Sequence, residues 1–354
     1  MERLAGDGTV DLDHPSIAKA LHDMAIAELL AHRLVARAAA VPPGDVGGVV
    51  AGALEYVSDL AATKHEGKPV THGVVIATDH HGWTGPTPPL DYPGLLAERV
   101  RTPLLFDGTH GVLVVSVAGS VIRGVGRSDL PPSSRTTTGT DVFEDLTGLE
   151  GSLTAAASAV FGGIGVYVRP DQSIWVFDSG TPLLIRRTNR WKPIAIAAFA
   201  RAVAELGLTS TQVADRVARA ALRCSLSGSG ALLAIAPDAE ALLGQVPAKD
   251  LYSGTSRERP PADADALHRL ITPDDIASPG ALGRLAQLDG ATIVDPRGEL
   301  LAFGAIVRST DSRAEGARIA AGRALSAHVN VAISVSQDGP ITVFHRGEPV
   351  LRLL

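Results

Sequence analysis

Ile164 to Leu184 reads IGVYVRPDQSIWVFDSGTPLL, and Val331 to Leu351 reads VAISVSQDGPITVFHRGEPVL. The second stretch lies on the first without a gap, at a constant spacing of 341 − 174 = 167. Ile174/Ile341, Val176/Val343, Phe177/Phe344, Gly180/Gly347 and Pro182/Pro349 are among the identical pairs, and several of the others exchange one apolar residue for another. The chain therefore contains an internal repeat. Each copy alternates apolar and polar positions around a polar turn and then meets a glycine turn, which predicts strand, turn, strand, tight turn, strand.

Working outward, Asp107-Gly108-Thr109 and Asp289-Gly290-Ala291 form a second pair of anchors, 289 − 107 = 182 apart. The excess of 182 − 167 = 15 residues in the first copy is assigned to Arg127 to Thr140, where Pro, Ser, Thr and Gly supply loop chemistry. Upstream of each anchor the pattern predicts a helix, a second helix and a buried strand. In the first half these are Ile17 to Ala40, Val46 to Ala62 and Gly73 to Thr78. In the second they are Ile194 to Leu206, Gln212 to Arg223 and Ala231 to Ala236, with Thr209 and Gln212 spaced as a capping box. The expected fold is α/β: two tandem domains, 1–188 and 189–354, each a mixed β-sheet flanked by helices, with the boundary in the polar segment Arg186 to Arg190.

With 354 residues, 45% of them hydrophobic, the chain is long enough for two cores. Aromatic content of 4% leaves few stacking platforms for single-stranded nucleic acid, and a net charge of −6 gives no overall pull on a polyanion. A single cysteine, Cys224, excludes an internal disulfide or a cysteine-built zinc site, and reads as a small buried residue. The start lacks a secretory pattern, and apolar runs such as Gly111 to Ile122 are short of the ~20 residues that span a bilayer. The expected location is the cytoplasm, with no membrane partner.

Several other signals read as structure. His65, His72, His80, His81 and His110 lack the spacing that would fix a metal on one face, and are expected as solvated loop histidines. Asp79, His80 and Trp83 precede the first Asp-Gly turn and are candidates to border a pocket there, since His110 directly follows Asp107-Gly108-Thr109. Gly162-Gly163-Ile164-Gly165 precedes a strand, the wrong place for a dinucleotide-binding loop, and Ser227-Gly228-Ser229-Gly230 reads as a helix-to-strand turn. No nucleophile elbow is present. Arg257 to Arg259 and Arg186 to Arg190 read as solvated, charge-rich loops, and Arg135 reads as an exposed loop arginine, with replacement phosphate ligand as its alternative.

Four segments follow in order in the second half: Leu288 to Asp295, Leu301 to Ile306, Glu315 to Arg318 and Val331 to Val350. This set resembles the DisA-type diadenylate cyclase domain, which pairs an Asp-Gly-Ala turn with a Gly-(Thr/Ala)-Arg-His-Arg loop. The resemblance covers roughly Ala231 to Leu351 and extends through the repeat over the first half. It implies two domains meeting face to face, each holding one ATP, with cyclic di-AMP as product. It also implies that Asp289, and Asp107 in the first copy, are the catalytic carboxylates, Asp289 holding Mg²⁺ or Mn²⁺. Gly290, Ala291, Gly108 and Thr109 would let backbone approach the nucleotide, Gly316 and Ala317 would offer N–H groups to phosphate, and Arg318 would be a bidentate cation.

The chain departs from that pattern at Ile319 and Ala320, where the family has His and Arg. At a spacing of 167, Leu149, Glu150 and Gly151 stand opposite Gly316, Ala317 and Arg318, so the first copy gains an acid and has no arginine there. Stabilising a departing pyrophosphate needs those cations more than binding a finished cyclic dinucleotide does. The expected function is a sensor for an adenine nucleotide or cyclic dinucleotide, a pseudo-cyclase that signals through another protein and is open to homo-oligomer formation. The alternative is an active diadenylate cyclase.

Overall fold

A computed structural model describes residues 15–38, 45–78, 89, 91–98, 101–130, 152–188, 190–252, 268, 271, 280–308 and 316–353. Each quoted stretch forms three antiparallel strands. They are β6 (Ile164–Val168), β7 (Ile174–Asp178) and β8 (Thr181–Arg187) in the first copy, and β13 (Val331–Val335), β14 (Ile341–His345) and β15 (Glu348–Leu353) in the second. The tight turns match: Ser179 and Gly180 have φ of 46° and 86°, and Arg346 and Gly347 have 52° and 82°. Two positive φ values in a two-residue loop define a type I′ turn, whose twist suits the strands it joins. A β-bulge follows at the same place in each copy, between Val176 and Phe177 and between Val343 and Phe344.

The surrounding sheets share one topology. The first has seven strands in the order β5-β4-β3-β6-β7-β8-β9, adding β3 (His72–Ala77), β4 (Gly111–Ser116), β5 (Val121–Gly126) and β9 (Arg190–Pro193). The second has six in the order β12-β11-β10-β13-β14-β15, adding β10 (Ala231–Ile235), β11 (Ala291–Val294) and β12 (Leu300–Ala305). In each, only one neighbouring pair is parallel, β3 with β4 and β10 with β11, so both sheets are mixed. A two-stranded ribbon, β1 (Lys64–His65) with β2 (Lys68–Pro69), stands apart.

Helices cover both faces. In the first unit α1 (Pro15–Val35) and α2 (Val46–Ala61) bury Leu30, Leu34, Val50, Leu54 and Leu60 against Val74, Ile76, Val166 and Val176. The opposite face carries α5 (Ser152–Val160), and the short helices α3 (Tyr92–Ala97) and α4 (Arg101–Leu105) lie between β3 and β4 in the chain. In the second unit α6 (Ile196–Gly207) and α7 (Thr211–Leu226) take the place of α1 and α2, α8 (Ala281–Ala286) precedes β11, and α9 (Ala317–Ser326) takes the place of α5. Each fully buried aliphatic side chain contributes roughly 1.5–3 kcal/mol, which makes these layers the main source of cohesion. Among the described residues no helix is long and apolar enough to cross a membrane.

The structure corrects four local expectations. The cap of α7 is Ser210, which accepts from the Val213 N–H at 3.3 Å, while Thr209 donates its hydroxyl to the Pro296 carbonyl at 2.5 Å. The segment Arg186 to Arg190 is not a solvated linker: β9 pairs with β8, Arg186 is buried and donates to Ser58, and Trp191 enters the core with its Nε1 donating to Asp23 at 2.7 Å. The first compact unit accordingly runs to Pro193 and the second begins at Ile194, five residues beyond the expected break. His72 is not a loop histidine but a fully buried residue of β3.

The fourth correction concerns the Asp-Gly anchors. Val74 pairs with Val166 and with Leu113, while Leu233 pairs with Ile333 and with Thr292. Since Val166 and Ile333 are repeat partners, Leu113 corresponds to Thr292, a spacing of 292 − 113 = 179 rather than 182. The β4–β5 and β11–β12 pairs repeat it, Val115 with Val121 against Val294 with Leu300. Gly290 therefore corresponds to Gly111 and Asp289 to His110; the first copy holds three extra residues between its Asp-Gly pair and the strand.

Candidate functional site

In the second unit the first turn of α9 and the strands β13, β14 and β15 line a cleft of about 1040 Å³. Its upper wall is Asp289 with Gly316, Ala317, Arg318, Ile319 and Arg323. Its floor is Ser334, Ser336, Asp338, Pro340, Thr342 and Phe344, closed at the side by Pro349 to Arg352. Asp289 and the Gly316 to Arg318 segment, read from the sequence as one site, thus meet on one cleft. Gly290 and Ala291 do not line it: Ala291 is buried in β11, and a Cβ on Gly290 would fall 2.4 Å from the Gly304 carbonyl carbon, so this glycine serves strand packing.

The cations differ in freedom. Arg323 donates to the Gly347 carbonyl at 3.3 Å, lies 3.6 Å from the Glu348 carboxylate and holds its guanidinium carbon 6.0 Å from the centre of the Phe344 ring. The side chains of Arg318 and Arg352 are exposed and make no hydrogen bond or ion pair with any other described residue. The Arg318 guanidinium rests on Gly230, where a Cβ would come within 2.3 Å of Nη1, so the turn before β10 is the shelf for this side chain. Three arginines face Asp289 and Asp338 in the cleft, and Glu348 beside Arg323 balances the third positive charge, so the two arginines with free side chains, Arg318 and Arg352, are the cations open to a ligand. Asp289 is exposed and accepts from the Gly290 N–H at 3.1 Å.

The cross-strand register sets a polar row in the floor. Ser334 pairs with Thr342, and Thr342 with Arg352. At the spacing of 167 the first copy has Tyr167, Trp175 and Ile185 there, paired in the same register. All three are buried, Trp175 completely. The Tyr167 ring covers Gly108, whose Cβ would come within 2.5 Å of it. Gly108 is therefore closed to a ligand.

Asp107 is likewise committed. Its Oδ1 accepts from the N–H groups of Thr109, His110 and Gly111 at 2.9, 2.7 and 3.3 Å, and its Oδ2 lies 2.7 Å from the His110 Nδ1. Although partial burial pushes the Asp107 carboxyl up, these hydrogen bonds outweigh it and hold it below its ordinary range. The structure makes this carboxylate the organiser of a turn. Thr109 sits in that turn.

Among the described residues no group of three or more His, Cys, Asp or Glu could hold a metal ion. Asp289 alone could share a divalent cation with phosphate oxygens, the usual arrangement for Mg²⁺. Cys224 is buried, with its thiol pushed up to about 12 by burial, which excludes it as a nucleophile at neutral pH. Asp79, His80, His81, Trp83, Arg135, Glu150 and the Arg257 to Arg259 segment lie outside the described residues. Ser158 accepts from the Gly180 N–H and Ser326 from the Gly347 N–H, so each copy ties its helix to the hairpin turn by a serine hydroxyl, at a helix spacing of 326 − 158 = 168.

Sequence reasoning missed Ser334, Thr342, Arg323 and Arg352. The signal was present: against the aligned first copy, aromatic and aliphatic residues give way to two hydroxyls and a cation on one strand face. A scan against protein-family models gives no match, and a search of curated proteins gives none either.

Proposed function

We propose that the second unit is a nucleotide-sensing module that binds an adenine nucleotide or cyclic dinucleotide in this cleft and does not turn it over. The observation that carries this reading is the meeting of Asp289 with Gly316, Ala317 and Arg318 on one cleft. Arg318 is free to take a phosphate as a bidentate donor, and the first backbone N–H groups of α9 add to its attraction. Ile319 and Pro340, both half-buried, offer apolar contact to a base. When bound, Mg²⁺ or Mn²⁺ would add positive charge beside the phosphates, with Asp289 as its protein ligand. The occupied cleft would signal to a protein partner, or to a second copy of this chain, recognising the altered surface.

The resemblance to diadenylate cyclases supports the ligand class, and the departures from it support binding over catalysis. Joining two ATP molecules needs two opposed sites, and the first unit carries Tyr167, Trp175 and Ile185 where the second has its polar floor. The alternative, an active cyclase, draws its support from Arg323 and Arg352, which bring back cationic charge lost at Ile319 and Ala320.

The test is calorimetry of the full chain with cyclic di-AMP and with ATP, beside an assay of ATP with Mg²⁺ or Mn²⁺ for cyclic di-AMP. The expected result is saturable binding, weakened about tenfold or more by Arg318→Ala, with no product above an Asp289→Asn control. Product above that control establishes the cyclase and removes the sensor-only reading; no binding removes both.

A further inference from the structure

We infer that Arg352, in line with Thr342 and Ser334 across three strands, is a second anion anchor, so that the cleft takes a ligand carrying two separated phosphates. This rests on the nucleotide-binding reading above and goes beyond it by naming the charge layout that the ligand must have. Arg318 reaches the cleft from the first turn of α9, and Arg352 reaches it from β15, the outermost strand. The side chains of both are exposed and neither has a partner among the described residues, whereas Arg323, towards the β14–β15 turn, is held by the Gly347 carbonyl, Glu348 and Phe344. Two free cations set apart across the sheet, one resting on Gly230 before β10 and one on β15 with β13 and β14 between those strands, suit two single charges better than one concentrated triphosphate. The cleft volume of about 1040 Å³ lies at the top of the range for small-molecule sites, large enough for a dinucleotide.

The first copy is an internal control. There the three positions of the row are Tyr167, Trp175 and Ile185, and at the same spacing of 167 the sequence has Gly151 opposite Arg318. Both anchors and both hydroxyls are thus replaced together in one copy and present together in the other. Groups that act on one ligand are expected to come and go as a set. A floor that served only to keep the sheet soluble would have no reason to track a helix residue on the opposite wall.

Calorimetry of the full chain decides it, with cyclic di-AMP and AMP as probes and Arg352→Gln, Arg318→Gln and Arg352→Lys as variants. Arg352→Gln is expected to weaken cyclic di-AMP about tenfold or more while shifting AMP by less than about threefold. Arg318→Gln is expected to weaken both, and Arg352→Lys to recover part of the loss. Equal cyclic di-AMP affinity in wild type and Arg352→Gln overturns the second anchor and leaves the nucleotide reading standing. Equal losses for AMP and cyclic di-AMP in that variant also overturn it, since they mark a general charge effect. Wild type binding neither probe overturns the nucleotide reading itself. Because Arg352 is exposed, unchanged thermal unfolding of the variants is the check that the fold is intact.

Discussion

At the scale of single residues, His72 shows how far burial can override a side chain's usual behaviour. Its ring lies edge-on to Tyr56, with centroids 5.3 Å apart, and burial lowers its pKa from 6.5 to about 4. The unfolded chain takes up a proton near 6.5 that the native protein refuses until about 4. Stability is therefore unaffected by this group above pH 6.5 and falls as pH drops from 6.5 towards 4, by up to ~3 kcal/mol. His72→Phe should flatten that part of the stability–pH profile measured by denaturant unfolding; an unchanged slope would show that other groups carry it. The histidine looked solvated because spacing reports periodicity, not depth. Gly230 makes the opposite kind of prediction. Its φ is not in the left-handed region, so Gly230→Ala should stabilise the unfolded-to-folded step by roughly 0.5 kcal/mol. The new methyl would nevertheless push the Arg318 guanidinium off its shelf and weaken nucleotide binding. A rise in melting temperature with a fall in affinity is the expected pair of results.

Between elements, α1 is fastened to the end of β7 by charge. Asp178 is nearly buried, accepts from Arg33 at 2.6 Å and pairs with Arg37. Desolvation raises the Asp178 carboxyl, but the two guanidinium groups outweigh it and hold it below its ordinary range. Asp178→Ala leaves two cations facing an apolar strand end and should cost about 2 kcal/mol, with α1 the first element to lose amide protection in hydrogen exchange. Equal protection loss across the sheet would count against this. The paired hairpins were legible in the sequence because their turn, bulge and alternation are written within 21 residues. The Asp-Gly anchors misled because a dipeptide carries no register: Asp107 sits in a turn lengthened by three residues, and only strand pairing reveals it. β9 was hidden because its arginines imitate a linker, while the one residue that ties it down, Trp191, is a single aromatic among charges.

Across the whole molecule, one fold is used twice, and among the described residues the second copy has a polar floor where the first has the buried Tyr167, Trp175 and Ile185. That buried row predicts one cyclic dinucleotide per chain, and a calorimetric stoichiometry of two sites per chain would contradict it. Tandem organisation and layer order were readable from the repeat, and the residues carrying the family resemblance do converge on the cleft at Asp289 and Gly316 to Arg318. The floor was not readable from one copy alone, because Ser334, Thr342 and Arg352 acquire meaning only when strand pairing sets them side by side.

The bulge in β15 has a bearing on the protein's behaviour in concentrated solution. This strand borders its sheet, and over six residues it combines a charged Glu348, a proline at 349 with no N–H to donate, an interrupted register and a charged Arg352. Each feature discourages a foreign strand from extending the ladder. The same rim that walls the cleft is thereby a guard against fibril-like self-association, and replacing its proline and glutamate with valine would remove that guard while leaving the native hairpin turn in place.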